Sequence, residues 1–183
     1  MQIFQVPPTQ LPDFAFSNRI NEGVIVDLEY LYRSQAYVLG NPDDAPGQTL
    51  GGFAINCTSE FRCLSFMDQR LRKSMLASAG ISTGDLVEIT CIWRSLEHKG
   101  LFAQNREFFY WQMIKLAVES GRPIILGATI HEGYRRMLAP VLNYDLGHHP
   151  IIVNGKETTM WLLYGLAKDA ITNLNNAFAP KKA

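Results

Sequence analysis

Apolar positions recur along this chain in two rhythms, one close to every third or fourth residue and one in short dense runs. Residues 105–121, NREFFYWQMIKLAVESG, carry the plainest helical pattern, with Phe108, Trp111, Ile114, Leu116 and Val118 on an apolar side and Gly121 as the stop. Residues 21–40 repeat the pattern through Val24, Leu28, Leu31 and Tyr32 up to Gly40, which predicts an opening helix. Residues 68–80 predict another helix, 132–147 a helix broken near Pro140, and 168–178 a last one. The dense runs predict strands: 52–59 and 60–67 joined by a tight turn at Thr58–Glu60, then 85–95 and 122–130. An Asn154-Gly155 pair between two apolar stretches in 149–165 predicts a hairpin.

Three prolines, Pro7, Pro8 and Pro12, make residues 1–17 read as an extended arm, and 180–183 reads as a frayed tail. Interleaved strands and helices point to an α/β (α+β) domain over 1–183, with one central mixed sheet and helices on both faces. The two strand–helix units between Asp85 and Asp145 predict neighbouring parallel strands.

Charge narrows the function classes. Lys and Arg number 17 and Asp and Glu 17, without a basic stripe, so nucleic acid is not expected as a partner. Cys57, Cys63 and Cys91 form neither a disulfide framework nor a zinc spacing, so no metal is expected. The start of the chain lacks the pattern of a secretion signal and no apolar run is long enough to cross a membrane, which makes a cytoplasmic protein the expectation.

Two polar constellations carry candidate chemistry. Arg33 and Tyr37, four apart on the predicted opening helix, precede Asp43 and Asp44 in a Pro- and Gly-rich loop. They read either as a hold for a carboxylate or phosphate, or as a solvated Arg and a packed Tyr. On the strand 85–95, Glu88, Thr90, Ile92 and Arg94 alternate and so share one face. Either that face meets solvent at a sheet edge, or its charges meet partners and ligand, with Glu88 as a general base toward an amine. His131 and Glu132 fall at a strand end, where α/β folds place ligands or where a helix starts. His148 and His149 read as exposed loop residues, and Arg135-Arg136 as a soluble surface or a phosphate contact. Cys91 as a nucleophile is disfavoured by burial in the sheet.

These residues resemble the autoinducer synthases, the N-acyl-homoserine-lactone synthases, together with N-acyl amino acid synthases, within the GNAT acyltransferase superfamily. That family carries an Arg, an aromatic four residues on, and an acidic loop, matched here by Arg33, Tyr37, Asp43 and Asp44. Its central strand carries Glu-x-Ser-Arg, where this chain has Glu88-Ile89-Thr90-Cys91. The motif Arg is therefore absent, with Arg94 three positions on. The loop Trp is absent too, and Arg62 stands as the candidate for an Arg on the third strand. The resemblance spans about residues 24–165 as an order of elements.

It implies a GNAT fold and an acyl chain delivered as a thioester on acyl carrier protein or coenzyme A. It implies an amine acceptor, S-adenosylmethionine for a lactone product or a free amino acid for its sibling, and no bound cofactor. Glu88 is then the base. Arg33, Tyr37, Asp43, Asp44, Arg62, Thr90 and Arg94 are the substrate contacts, and Phe53, Phe66, Trp93, Phe109 and Met113 are candidates for an acyl pocket. The same aromatics read equally as plain core. A non-catalytic acyl or small-ligand binding module on this fold is the rival class.

Overall fold

The computed structural model describes residues 1–41, 49–153 and 155–178. Asp43 and Asp44 lie outside them, as do Asn154 and the tail. The described strands are β1 (Gln2–Gln5), β2 (Gln35–Gly40), β3 (Gly51–Asn56), β4 (Leu86–Arg94), β5 (Ile124–Thr129), β6 (Tyr144–Val153) and β7 (Lys156–Leu166). The helices are α1 (Leu11–Glu22), α2 (Leu28–Tyr32), α3 (Arg62–Ser65), α4 (Gln69–Ser78), α5 (Lys99–Glu119), α6 (Glu132–Leu138) and α7 (Ala167–Phe178). The strands form one seven-stranded mixed sheet in the order β1-β2-β3-β4-β5-β7-β6. Only β4 and β5 run parallel; the other neighbours are antiparallel. The parallel neighbours predicted between Asp85 and Asp145 are thus β4 and β5, and on its other side β5 is flanked by the returning arm of the β6–β7 hairpin.

Helices cover both faces. Val87 and Ile89 on β4 share a core with Phe53 of β3, Phe109 and Met113 of α5, Leu138 of α6 and Leu174 of α7. The opposite face packs Leu86 and Leu126 against Cys63 and Leu64 of α3 and Leu76 of α4. Beside that cluster, α1 and α2 supply Phe14, Tyr30 and Leu31 against Ala54 and Trp93. This is the mixed sheet with helices on both faces that the order of elements predicts.

Several local expectations give way to tertiary context. Residues 1–17 are not an arm: β1 adds to the sheet edge beside β2, and Pro12 sits in the first turn of α1, where a missing N–H costs nothing. Gly23 ends α1 with φ 72°, its N–H bonded to the Arg19 carbonyl. Residues 21–40 are not one helix. Asp27 caps the short α2 by accepting from the Glu29 N–H at 2.9 Å, and Gln35–Gly40 is then taken by strand pairing on both edges. A strand covered on both faces reads as an unbroken apolar run, so its period of two is hidden. Residues 60–67 hold the helix α3 instead of a second strand, so Arg62 is helical. The helix predicted over 132–147 ends at Leu138, and Tyr144–Val153 is strand, which places His148 and His149 in β6 rather than a loop. The predicted hairpin is present as β6 and β7, paired up to Val153↔Lys156, with Gly155 at φ 75°.

Candidate functional site

The site begins with a break in the parallel pair. β4 and β5 are in register from Leu86↔Ile124 to Ile89↔Gly127, and there the pairing stops. Beyond that point β4 stays bonded to β3 through Thr90, Trp93 and Arg94, and β5 stays bonded to β7 through Ala128 and Thr129. The inner edges of residues 90–92 and 128–130 diverge with no strand between them.

Two local features cause the parting. Cys91 has φ 51°, the left-handed region, which a side chain adopts at a cost of about 1–3 kcal/mol. Opposite it, the β3 register slips between Gly52 and Ala54, so β4 is bulged and its twist increases. At Gly127, the last β5 residue paired with β4, the Leu142 Cδ1 lies 2.7 Å from where a Cβ would stand, so Leu142 packs against bare backbone there.

The bulge also changes which side chains are neighbours. Before it, Glu88 and Thr90 share the face that packs on α2 and α3. After it, Cys91 and Trp93 take over that face and Ile92 turns to the α5 core. The strict alternation that puts Glu88, Thr90, Ile92 and Arg94 on one face therefore fails. One inserted residue reverses the phase of everything after it.

The gap opens into a cavity of about 310 Å³. Thr90, Cys91 and Ile92 of β4 and Ala128, Thr129 and Ile130 around the end of β5 line its waist. Ile25, Phe66 of the α3 end, Ile151, Ile152 and Met160 give it an apolar part, with the Arg62 guanidinium between the Ile25 carbonyl and the Phe66 ring. Ile25 and Ile152 are 70% and 76% exposed, so this part opens to solvent between hydrophobic side chains and Arg62. Another part is polar, with Asn18 and Glu22 from α1 and His131 and Tyr134 from the start of α6.

Glu88 does not line that cavity. Its side chain is fully buried, and its carboxylate accepts from the Tyr30 hydroxyl at 2.6 Å and the backbone N–H groups of Arg62 at 2.9 Å and Cys63 at 2.7 Å. It ties α2 and the first turn of α3 to the middle of the sheet. Burial beside this carboxylate raises the Tyr30 hydroxyl and the Cys63 thiol above their ordinary pKa values.

Glu22 contrasts with it. Tyr134 donates to Glu22 Oε1 at 3.3 Å, and His131 Nε2 stands 3.3 Å from Oε2. The Glu22 side chain is 12% exposed and His131 49%. Burial holds the Glu22 carboxyl above its ordinary pKa, against the lowering effects of the Tyr134 hydroxyl, the Arg94 charge and the Arg94 backbone. Burial, helped by Arg94, holds His131 below its own ordinary value.

The remaining candidates separate. Arg62, Thr90 and Phe66 line the cavity. Arg94 stands beside Glu22 rather than Glu88. Arg33 caps the end of α2 and pairs with Glu60 at the surface. Tyr37 sits on β2, stacked on Phe53 at 5.3 Å in the α5 core, so the two share no helical face. Phe53, Phe109 and Met113 are fully buried core, and Trp93 packs edge-on against Phe14. Of the two residues singled out after β5, His131 lines the cavity, while Glu132 pairs with Arg135 and Arg136 on the outside of α6.

Glu22 escapes sequence reasoning because residues 1–17 read as an arm and hide α1. Once α1 is known, an acid at its C-terminal end is a local anomaly, since the helix dipole disfavours negative charge there.

No family model matches the sequence, and no curated protein matches it. Solved structures do match. FeeM, an N-acyl amino acid synthase from uncultured soil microbes, is 10% identical, with a TM-score of 0.66 over 94% of this chain and 95% of that one. The AHL synthase LasI is 11% identical, with a TM-score of 0.63 over 100% and 97%. The CoA-dependent acyl-homoserine lactone synthase MesI is 13% identical, with a TM-score of 0.60 over 100% and 97%. The chain has the fold of these acyltransferases along essentially its whole length.

Proposed function

We propose that this chain is an acyltransferase that moves an acyl group from a thioester to an amine. The observation that supports the reading most directly is the parting of β4 from β5 over a cavity with an apolar and a polar part. Backbone groups on the inner edges of residues 90–92 and 128–130 have no strand partner there, and such groups call for a ligand. An N–H on a splayed strand is suited to polarise a thioester carbonyl and to hold the charge that develops on its oxygen. The apolar part between Ile25, Phe66 and Ile152 suits an acyl chain, and the polar part suits a small amine.

The solved structures of this fold include enzymes named for both products, N-acyl amino acids and acyl-homoserine lactones. S-adenosylmethionine is the acceptor we put first, with acyl carrier protein or coenzyme A carrying the acyl group. One observation favours an amino acid instead: Cys91 stands where the autoinducer synthases carry the Arg of Glu-x-Ser-Arg, and it is buried. Thr90, at the hydroxyl position of the motif, and Arg62, at the start of α3, both stand on the cavity wall and serve as the substrate contacts in this reading.

The test is direct. The protein is incubated with acyl-coenzyme A or acyl-carrier thioesters of several lengths, together with S-adenosylmethionine or each amino acid, and products are identified by mass spectrometry. An N-acyl product supports the reading and names the acceptor. Absence of any acylated product with every donor and acceptor pair ends it.

A further inference from the structure

Glu22 is a carboxylate on the cavity wall, held by the Tyr134 hydroxyl and the His131 imidazole, each at 3.3 Å, with the Arg94 backbone and charge beside it. Those are long, loose contacts for a group that is 12% exposed. The Arg94 charge lies near it, and the cavity is the side from which a second cation would reach it. We infer that Glu22 receives the acceptor's ammonium group and takes its proton, and that His131 passes that proton to solvent, an assignment that rests on the acyl-transfer reading of the same cavity.

The geometry supplies each part. Glu22 and Thr90–Ile92 line the same cavity, so a nitrogen bound to Glu22 shares that space with a thioester carbonyl held at the gap. His131 touches Glu22 on one side and is half exposed on the other, which is the arrangement a relay needs. The groups that face Glu22 come from four elements: Asn18 on α1, His131 and Tyr134 at the start of α6, Arg94 on β4, and Tyr110 on α5 with Arg106 behind it. Burial raises the affinity of Glu22 for a proton and lowers that of His131, which brings the two groups closer to each other in proton affinity.

The step balances. The ammonium gives one proton to Glu22 and the free amine attacks the thioester carbon. The C–N bond forms and the C–S bond breaks. The nitrogen loses a second proton as the amide forms, the departing thiolate takes up one proton, and one proton leaves to water through His131.

This places the base at Glu22 and leaves Glu88 as a positioning residue that holds α2 and α3 on β4. The substrate class follows: an acceptor that presents a primary ammonium group, while an alcohol of the same shape is refused.

Two readouts test the inference on the intact protein. In an NMR titration n-butylamine is compared with n-butanol, for the wild type and Glu22→Gln, following the His131 ring. The expected result is amine binding at least about 10-fold tighter than alcohol binding in the wild type, with the difference gone in Glu22→Gln, as loss of one charge-assisted contact would give. For whichever acceptor turns over, Glu22→Gln is expected to lower kcat/KM on the order of 10²-fold and abolish the acid limb of its pH profile. Tyr134→Phe removes a hydrogen bond that lowers the Glu22 pKa, so the acid limb moves to higher pH.

Equal binding of amine and alcohol by the wild type overturns the inference. So does Glu22→Gln that keeps its acid limb, or, should that variant not fold, Tyr134→Phe with an unmoved limb. The two readings fail separately. Glu22-dependent amine binding without any amide product removes the transferase and keeps the ammonium site. Amide formation with a limb indifferent to Glu22 removes the ammonium site and keeps the transferase.

Discussion

Two carboxylates lie close to the middle of this molecule and live under opposite conditions. Glu88 is fully buried, with three short hydrogen bonds from Tyr30, Arg62 and Cys63. Glu22 lines a cavity, with side-chain contacts at 3.3 Å to Tyr134 and His131 and the Arg94 backbone beside it. Sequence pattern favours Glu88 as the reactive group, because a charge in an apolar strand stands out. Geometry favours Glu22, because a fully buried carboxylate that already holds three short hydrogen bonds and does not line the cavity is out of a substrate's reach. The difference teaches that an unexpected charge in a core announces a partner, and that partner is as readily a helix end as a ligand.

The largest contrast should appear in turnover. Glu22→Gln is expected to lose on the order of 10²-fold in kcat/KM with its acid limb, while Glu88→Gln keeps that limb at whatever rate it retains. Rate profiles from pH 4 to 9 check this, and a limb that follows Glu88 would falsify the distinction. Next comes stability. Glu88→Ala strands a tyrosine hydroxyl and two backbone N–H groups in the interior and should cost on the order of 3 kcal/mol, read from urea unfolding. Tyr30→Phe removes one of those donors and should cost about 1 kcal/mol in the same measurement.

A smaller effect has the opposite sign. The Glu22 carboxyl binds its proton more tightly in the fold than in the unfolded chain, because burial raises its pKa. The stability this lends is fully present below the unfolded value and is lost as pH rises through the folded one. At pH 7 the charged carboxylate therefore strains the fold, and Glu22→Gln should melt at the same or a higher temperature than the wild type, with the gap closing at acid pH. A glutamine that lowers Tm at pH 7 would move Glu22 into the same structural class as Glu88. Loss of activity with gain of stability is the mark of a site held for function.

The smallest effect is chemical labelling. Iodoacetamide at pH 7.5 should modify the half-buried Cys57 before Cys63 or Cys91, both buried, with the Cys91 thiol pushed up to about 11 by burial. Equal labelling of all three, read by peptide mass spectrometry, would show that the region around Glu88 and the bulge opens in solution.

What the sequence by itself determined is the set of long, self-consistent elements. The apolar periodicity of 105–121 and 68–80, the β-rich runs at 85–95 and 122–130, and the Asn-Gly hairpin all appear where local preference and burial agree, and their order was enough to indicate the sheet and its fold. Tertiary structure decided the rest. Residues 35–40 became strand because both of their edges found partners, and 62–65 became helix with its first N–H groups resting on Glu88. The site was decided the same way. A bulge at Cys91 carries no pattern in a linear chain, yet it flips the faces of β4, ends its pairing with β5, and so separates a carboxylate bound into the framework from one left facing a cavity. Pairing, phase and burial are relations between segments far apart in sequence, and no single segment encodes them.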